Sequence, residues 1–203
     1  SCTFTANVES YSLTVNASVV SNTTLECVTP YWDMTGQEST LSITSSGQQI
    51  PFYGDDGAGD TFVFTASWAL ISPSIASSAG GDELTVTGFG FNISQPAGHY
   101  KCLWSVQPMT SLDNRISSAN TTSDATPISS SALRCQIISW GKHYKAELVN
   151  FHLLETDVDL KLFRQDQSAS SAFLFVQAFL GLSPIFGTAE GGARVSIIGA
   201  GFH

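Results

Sequence analysis

The chain has 203 residues, which is enough for one large domain or two domains of about 100 residues, each with its own hydrophobic core. Charged residues make up 12% of the chain, about half the usual share for a soluble protein. The formal net charge is -9, from 8 basic and 17 acidic residues. Because proteins bind the phosphate backbone mainly through lysine and arginine, this charge argues against a nucleic-acid partner.

No apolar run reaches the roughly 18 residues that span a bilayer. The longest run, residues 172–182, is interrupted by Gln177. We therefore expect no membrane insertion within this stretch of chain.

Alternating side chains predict short β-strands from the start of the chain. Apolar and hydroxyl residues alternate at residues 11–15 and again at residues 84–88, which is typical of a strand with one buried face. Clusters of Gly, Pro, Asn and Ser separate such strands, as in a β-sandwich. We also predict a strand at residues 144–154, although a helix is the alternative there, and a mobile loop at the Ser/Thr-rich residues 117–131.

The four cysteines form two pairs along the chain, Cys2 with Cys27 and Cys102 with Cys135. Neither pair has the Cys-x-x-Cys spacing that is typical of zinc or redox sites. Each pair encloses enough chain to leave one strand and return in another, so we predict two disulfides within domains. Disulfides persist in oxidising compartments, which indicates an extracellular or cell-surface location.

Four N-glycosylation sequons support the same location. They begin at Asn16, Asn22, Asn92 and Asn120. A single sequon means little in a chain rich in serine and threonine. Four of them beside two predicted disulfides indicate a secreted glycoprotein.

The best candidate for a metal site is the Gly-rich acidic segment at residues 54–60. Its carboxylates, Asp55, Asp56 and Asp60, are the type of oxygen ligand that calcium prefers. The segment lacks the spacing of an EF-hand loop, and an acidic hairpin connection explains it without a metal. We therefore expect no cofactor, with calcium as the alternative.

The histidines and tryptophans do not indicate a catalytic or ligand-binding site. The four histidines, which show no metal-ligand spacing, are His99, His143, His152 and His203. Accordingly, we expect a protein that is not an enzyme. For the tryptophans, at least Trp68 and Trp104, we expect core or interdomain packing rather than a stacking platform for sugars.

Two parts of the chain repeat without a gap, residues 62–91 and residues 173–202, at an offset of 111. Nine of the thirty aligned positions are identical: Phe62/Phe173, Phe64/Phe175, Ser72/Ser183, Pro73/Pro184, Gly80/Gly191, Gly81/Gly192, Gly88/Gly199, Gly90/Gly201 and Phe91/Phe202. A repeat of this length indicates a domain. The segments around Cys27 and Cys135 repeat more loosely, at an offset of 108.

The repeated residues resemble the IPT/TIG domain, an immunoglobulin-like sandwich. The shared pattern is a proline, a Gly-Gly turn, an alternating strand, a Gly-x-Gly-Phe turn and two cysteines. In this chain the pattern is formed by Pro73, Gly80, Gly81, residues 84–87, residues 88–91, Cys102 and Cys135, and it restarts with Pro184, Gly191, Gly192 and residues 199–202. The glycines suit turns with positive φ, and no phosphate-binding loop is expected because no helix follows them.

This resemblance implies an all-β chain of tandem immunoglobulin-like β-sandwiches in three parts. Residues 1–67 correspond to the C-terminal part of one domain, residues 68–177 to a complete domain, and residues 178–203 to the N-terminal strands of a further domain. The first part lacks the strands that the last part contains. We therefore expect these parts to be completed head to tail, by adjoining domains of the same chain or by other copies of it.

The sequence therefore predicts a non-enzymatic, extracellular structural protein whose array builds a fibre or cell-surface appendage, such as a flagellar hair. The very short connections between domains predict a semi-rigid rod. The alternative is the stalk of a cell-surface receptor or adhesion ectodomain, since similar arrays occur in plexin-type receptors. A module that accompanies a glycan-active enzyme is a third interpretation.

Overall fold

The computed structural model describes residues 1–7, 10–54, 59–106, 121–156, 160–161 and 171–202. In these ranges the chain is all-β, apart from one 3-10 turn at Trp140–Lys142. The strands form immunoglobulin-like β-sandwich units, which confirms the predicted fold class. The described ranges contain no helix with the length and apolar character needed to cross a membrane.

The first seven strands form the leading unit, which is a partly open sandwich. These strands are β1 (Cys2–Ala6), β2 (Ser12–Val15), β3 (Ala17–Val19), β4 (Leu25–Cys27), β5 (Glu38–Ser45), β6 (Gln48–Ile50) and β7 (Thr61–Val63). One sheet has the order β2-β1-β5-β6, with β7 also paired to β5. Strand β3 pairs with β4 in a second sheet, and within the described ranges β4 has no strand on its other side.

The next nine strands form the central unit. They are β8 (Ser67–Ser72), β9 (Ile75–Ser77), β10 (Glu83–Phe89), β11 (Tyr100–Ser105), β12 (Thr122–Ser129), β13 (Ala132–Gln136), β14 (Leu148–Glu155), β15 (Leu160–Lys161) and β16 (Ala172–Val176). Their order is β8-β10-β13-β12-β11-β14-β16-β9, and β15 also pairs with β14. All of these pairs are antiparallel except β9 with β16.

The sheet of the central unit folds over into two layers at Ala125. This residue pairs with Tyr100 of β11 and with Cys135 of β13. The Cα atoms of Cys102 and Cys135 lie 6.4 Å apart, whereas two strands on either side of a common neighbour in a flat sheet lie about 9.5 Å apart. The two layers therefore face each other across this disulfide.

The last two strands, β17 (Ala178–Ser183) and β18 (Ser196–Ala200), form an antiparallel pair that we call the hairpin. The pairing of β17 with β18 repeats that of β8 with β10. Both pairs have an irregularity in register, next to Gly88 in the central unit's pair and between Phe179 and Gly181 in the hairpin. A Cβ on Gly88 would lie 2.2 Å from the carbonyl oxygen of Ser67, and one on Gly199 would lie 2.2 Å from that of Ala178. Only glycine therefore fits at this point of the repeat.

The prediction of a loop at residues 117–131 is wrong for Thr122–Ser129, which form strand β12. Ala125 is the one fully buried side chain of this strand, so its sequence lacks the usual apolar signal. The backbone of β12 instead bonds to β11 on one side and to β13 on the other. By contrast, the strand predicted at residues 144–154 is confirmed from residue 148 onward as β14, Leu148–Glu155, whereas residues 144–147 are not part of a strand.

Candidate interaction surfaces

The leading unit meets the central unit through a direct contact between two backbones. The N–H group of Gly36 donates to the carbonyl oxygen of Gly90 over 2.9 Å. Gly90 has a φ of 75°, and a Cβ there would lie 3.2 Å from the Cα atom of Ala66. The close approach and the left-handed backbone both favour glycine at this position.

Side chains reinforce this first junction around Asp33. The hydroxyl of Ser130 donates to the carbonyl oxygen of Asp33 over 3.1 Å, and the ring of Tyr31 meets Phe89 edge-on, with centroids 5.1 Å apart. The hydroxyl of Tyr11 donates to the carboxylate of Asp33. This hydrogen bond, followed by burial, raises the pKa of Tyr11 to about 12, because ionisation would remove the donated proton.

The central unit meets the hairpin through the same kind of contact. The N–H group of Ala146 donates to the carbonyl oxygen of Gly201 over 2.9 Å, and Gly201 has the same φ of 75° as Gly90. Gly201 lies 111 residues after Gly90, which is the offset of the sequence repeat. The chain therefore contains two junctions of one design.

A stacked Trp–Phe pair supports each junction. The rings of Trp32 and Phe64 are 4.1 Å apart with 9° between their planes, and those of Trp140 and Phe175 are 4.9 Å apart with 6° between their planes. Each indole N–H group donates to a nearby backbone carbonyl oxygen, that of Thr35 at 3.1 Å and that of Lys145 at 2.8 Å. All four tryptophans are buried, including Trp68 and Trp104, so the structure confirms packing rather than a stacking platform.

Both predicted cysteine pairs are disulfide-bonded in the structure. Cys2 joins Cys27, and Cys102 joins Cys135, each with Cα atoms 6.4 Å apart. The bond in the central unit is fully buried. Cys27 is only half-buried because it lies on the unpaired edge of β4.

The predicted glycosylation sites differ in exposure. Asn16 and Asn22 are exposed, and Asn22 lies in the turn between β3 and β4. Asn92 is half-buried, and its side-chain oxygen accepts the N–H group of Ser94 over 2.9 Å. Asn120 lies outside the described residues.

The candidate calcium ligands are only partly described. Asp60 is half-buried, and its carbonyl oxygen accepts the N–H group of Leu41 over 2.6 Å. Asp55 and Asp56 lie outside the described residues. Within the described ranges no three His, Cys, Asp or Glu side chains cluster as metal ligands.

Two histidines have polar neighbours that the sequence did not reveal. The Nε2 atom of His99 lies 2.8 Å from Glu155, and that of His152 lies 3.2 Å from the hydroxyl of Ser105. Both histidines are buried, at 6% and 5% exposure, which leaves a substrate little access. His143 is exposed, and His203 lies outside the described residues.

No protein-family model and no curated protein matches the chain. Among solved structures, the chain is similar to the extracellular region of plexin A4. One such structure, of domains 1 to 10, is 11% identical with a TM-score of 0.39, over 78% of this chain and 14% of that one. Another, with domains 1 to 8, is 12% identical with a TM-score of 0.37, over 98% of this chain and 24% of that one.

Proposed function

We propose that the chain is part of an extracellular, non-enzymatic structural protein, an array of IPT/TIG-like domains that builds a fibre or cell-surface appendage. The observation that carries this proposal is the pair of equivalent junctions, Gly36 with Gly90 and Ala146 with Gly201. Backbone hydrogen bonds between units, without an intervening linker, restrict bending between them. A stiff array of this kind suits a load-bearing or spacing role.

An extracellular location is supported by two features of the chain. The first is the two disulfides, since such bonds persist in oxidising compartments. The second is the exposure of the sequon residues Asn16 and Asn22. The domain limits at residues 67/68 and 177/178 and the assignment to the IPT/TIG family are part of the same proposal.

Electron microscopy of the protein from its native source tests the proposal. We expect regular fibres whose axial repeat matches a whole number of stacked sandwiches. Dispersed particles attached to membrane would contradict a fibre and would favour the stalk of a receptor or adhesion ectodomain. A second experiment measures the melting temperature at increasing calcium concentrations. We expect an unchanged melting temperature, as for a protein without a metal cofactor.

A further inference from the structure

Two apolar strand edges are unpaired within the described residues. In the part of the chain that the structure describes, strand β4 pairs only with β3, and β18 pairs only with β17. On the edge of β4, Leu25 is 37% exposed. Val195, directly before β18, and Ile197 in β18 are 49% and 55% exposed. Soluble proteins rarely leave apolar strand edges uncovered, because such edges pair with other chains.

The central unit shows how two such edges join. Strand β10 pairs with β13 in antiparallel register, with Leu84 opposite Cys135 and Val86 opposite Leu133. Each of these four residues is at most 1% exposed. By the sequence repeat, β10 corresponds to β18 at an offset of 111, and β13 corresponds to β4 at an offset of 108.

The same register can be applied to the unpaired edges. It places Val195 opposite Cys27 and Ile197 opposite Leu25. All four side chains occupy positions whose counterparts in the central unit are fully buried. The two edges are therefore complementary in apolar character along their length.

Charge gives a second, independent match. In the central unit, Arg134 of β13 lies 3.5 Å from Glu83 of β10. The corresponding residues are Glu26 on β4 and Arg194 beside β18, so both members of the pair are exchanged and the opposite charges are kept. Glu83 and Arg134 are diagonal neighbours across the two strands, and a change at only one of the corresponding positions would have placed like charges within reach of each other, which is destabilising.

The space around the Gly-Gly turn of the hairpin, compared with that of the central unit, also agrees with this register. In the central unit, a Cβ on Gly80 would lie 2.4 Å from the carbonyl oxygen of Ile138. The corresponding Gly191 has nothing within 4 Å of such a Cβ. The register places Pro30, the counterpart of Ile138, in this open space.

From these matches we propose that the hairpin of one copy docks on the leading unit of a second copy. Strand β18 then extends the sheet of β3 and β4, and Arg194 of one copy pairs with Glu26 of the other. The contact joins two different surfaces, so repetition produces open filaments or closed rings. This inference rests on the proposed function as a fibre and names the contact through which the fibre grows.

Sedimentation velocity of the 203-residue chain over a range of concentrations is the first test. We expect a concentration-dependent series of oligomers in the parent chain. Ile197→Lys should reduce the association constant by roughly 100-fold, because it places an ammonium group where the counterpart, Val86, is fully buried. The matched control is Leu70→Lys, since Leu70 is 57% exposed on β8 and lies outside the proposed contact.

Charge reversal tests the register. Glu26→Arg and Arg194→Glu should each weaken association by roughly tenfold, because each places like charges together. The double variant, or a mixture of the two single variants, should restore association. Circular dichroism and the mass of the oxidised chain check that each variant folds with both disulfides.

A parent chain that stays monomeric at about 100 μM would overturn the inference, since that concentration exceeds the dissociation constant of any contact able to hold a fibre. Association without rescue by the second charge reversal would also overturn it. Failure here leaves the proposed function standing if native fibres are seen by electron microscopy. Conversely, self-association with the predicted rescue would support the docking contact, and the absence of native fibres would at the same time contradict the proposed function as a fibre.

Discussion

The backbones of Gly36 and Gly90 are in direct contact, and a side chain at either position would be crowded. A Cβ on Gly36 would lie 2.9 Å from the carbonyl oxygen of Phe64, and one on Gly90 would lie 3.3 Å from the backbone nitrogen of Gly36. The junction between the leading and central units is therefore a contact between two backbones. The hydrogen bond at its centre does not depend on side-chain rotamers, and the side chains of Tyr31, Phe89 and Ser130 add further contacts around it.

The first prediction concerns Gly90→Ala. Gly47 is the matched control, because it has a φ of 79° with nothing within 4 Å of an added Cβ. We expect Gly47→Ala to lower the free energy of unfolding by about 1 kcal/mol, from the left-handed backbone alone. Gly90→Ala should cost about 2–3 kcal/mol, because crowding is added to the same strain. Urea titrations measure both, and equal losses would show that the junction is not tightly packed.

The second prediction compares two buried tryptophans. The indole N–H group of Trp140 donates to the carbonyl oxygen of Lys145, whereas that of Trp104 has no partner among the described residues. Trp140→Phe should therefore cost about 2–3 kcal/mol of unfolding free energy. Trp104→Phe should cost about 1 kcal/mol less, because it also removes an unsatisfied donor.

The leading unit already has a phenylalanine, Phe4, at the position that corresponds to Trp104, which supports the smaller loss expected for Trp104→Phe. Phe4 lies two residues after Cys2, just as Trp104 lies two residues after Cys102. Phe4 is paired with Leu41 as Trp104 is paired with Phe151. Urea titration of both variants makes the comparison. A larger loss for Trp104→Phe than for Trp140→Phe would contradict the prediction.

The third prediction concerns the order in which the disulfides are reduced. Cys102 and Cys135 are fully buried, but Cys27 is half-buried on an unpaired edge. A reductant needs access to a sulfur atom, so the bond between Cys2 and Cys27 should open first under native conditions. Brief reduction, alkylation and mass spectrometry identify the labelled cysteines. Simultaneous labelling of all four would show that the central unit opens as readily as the edge.

The fourth prediction concerns the ionisation of Tyr11. Its pKa is raised to about 12 by the hydrogen bond to Asp33, so the neutral form stabilises the folded state. This stabilisation is fully present below the ordinary tyrosine pKa of about 10 and is lost as the pH rises through about 12. Tyr11→Phe should therefore be less stable than the parent at pH 8, with the difference shrinking above pH 10. A difference that stays constant to pH 12 would contradict the assigned hydrogen bond.

The fifth prediction concerns Asn22. By the repeat, Asn22 corresponds to Ser130, whose hydroxyl reaches Asp33 across the first junction. A glycan on Asn22 would occupy the same place between two docked copies and would oppose docking, so the proposed fibre would grow most readily from chains without a glycan at this sequon. In chains secreted by eukaryotic cells, Asn22→Gln should therefore associate more tightly than the parent, as measured by sedimentation.

Asn16→Gln is the control for that experiment, because Asn16 is exposed at the break between β2 and β3, away from the turn. We expect it to leave association unchanged. Intact mass spectrometry is the necessary companion measurement. A mass equal to that of the bare polypeptide would contradict the use of the sequons.

Much of the fold could be predicted from the sequence because each copy of the repeat has glycines at its turns. The glycines of both Gly-Gly turns have positive φ, as the sequence predicts: Gly80, Gly81, Gly191 and Gly192. The pairing of Cys102 with Cys135 was also predictable, because the two are neighbours among the cysteines and enclose enough chain to leave one strand and return in another. These features depend on local backbone constraints, which leave a direct trace in the residue type.

Features that depend on distant partners were not predictable. Strand β12 is held by its two neighbours rather than by apolar side chains of its own, so its sequence resembles a loop. The hydrogen bond from Tyr11 to Asp33 joins residues on separate segments. Arg134 of β13 corresponds to Glu26 of β4, which has the opposite charge. This reversal indicates a contact with Arg194 only when the register of β4 with β18 is compared with that of β13 with β10.

The identical hydrogen bond at the two junctions has a geometric consequence. If each unit sits on its predecessor through the same backbone contact, one rotation and one translation relate every neighbouring pair. Repetition of a single such operation generates a regular helix. The pitch of that helix would then be encoded in the contact of Gly36 with Gly90 and of Ala146 with Gly201, and a residue larger than glycine at either acceptor would change it.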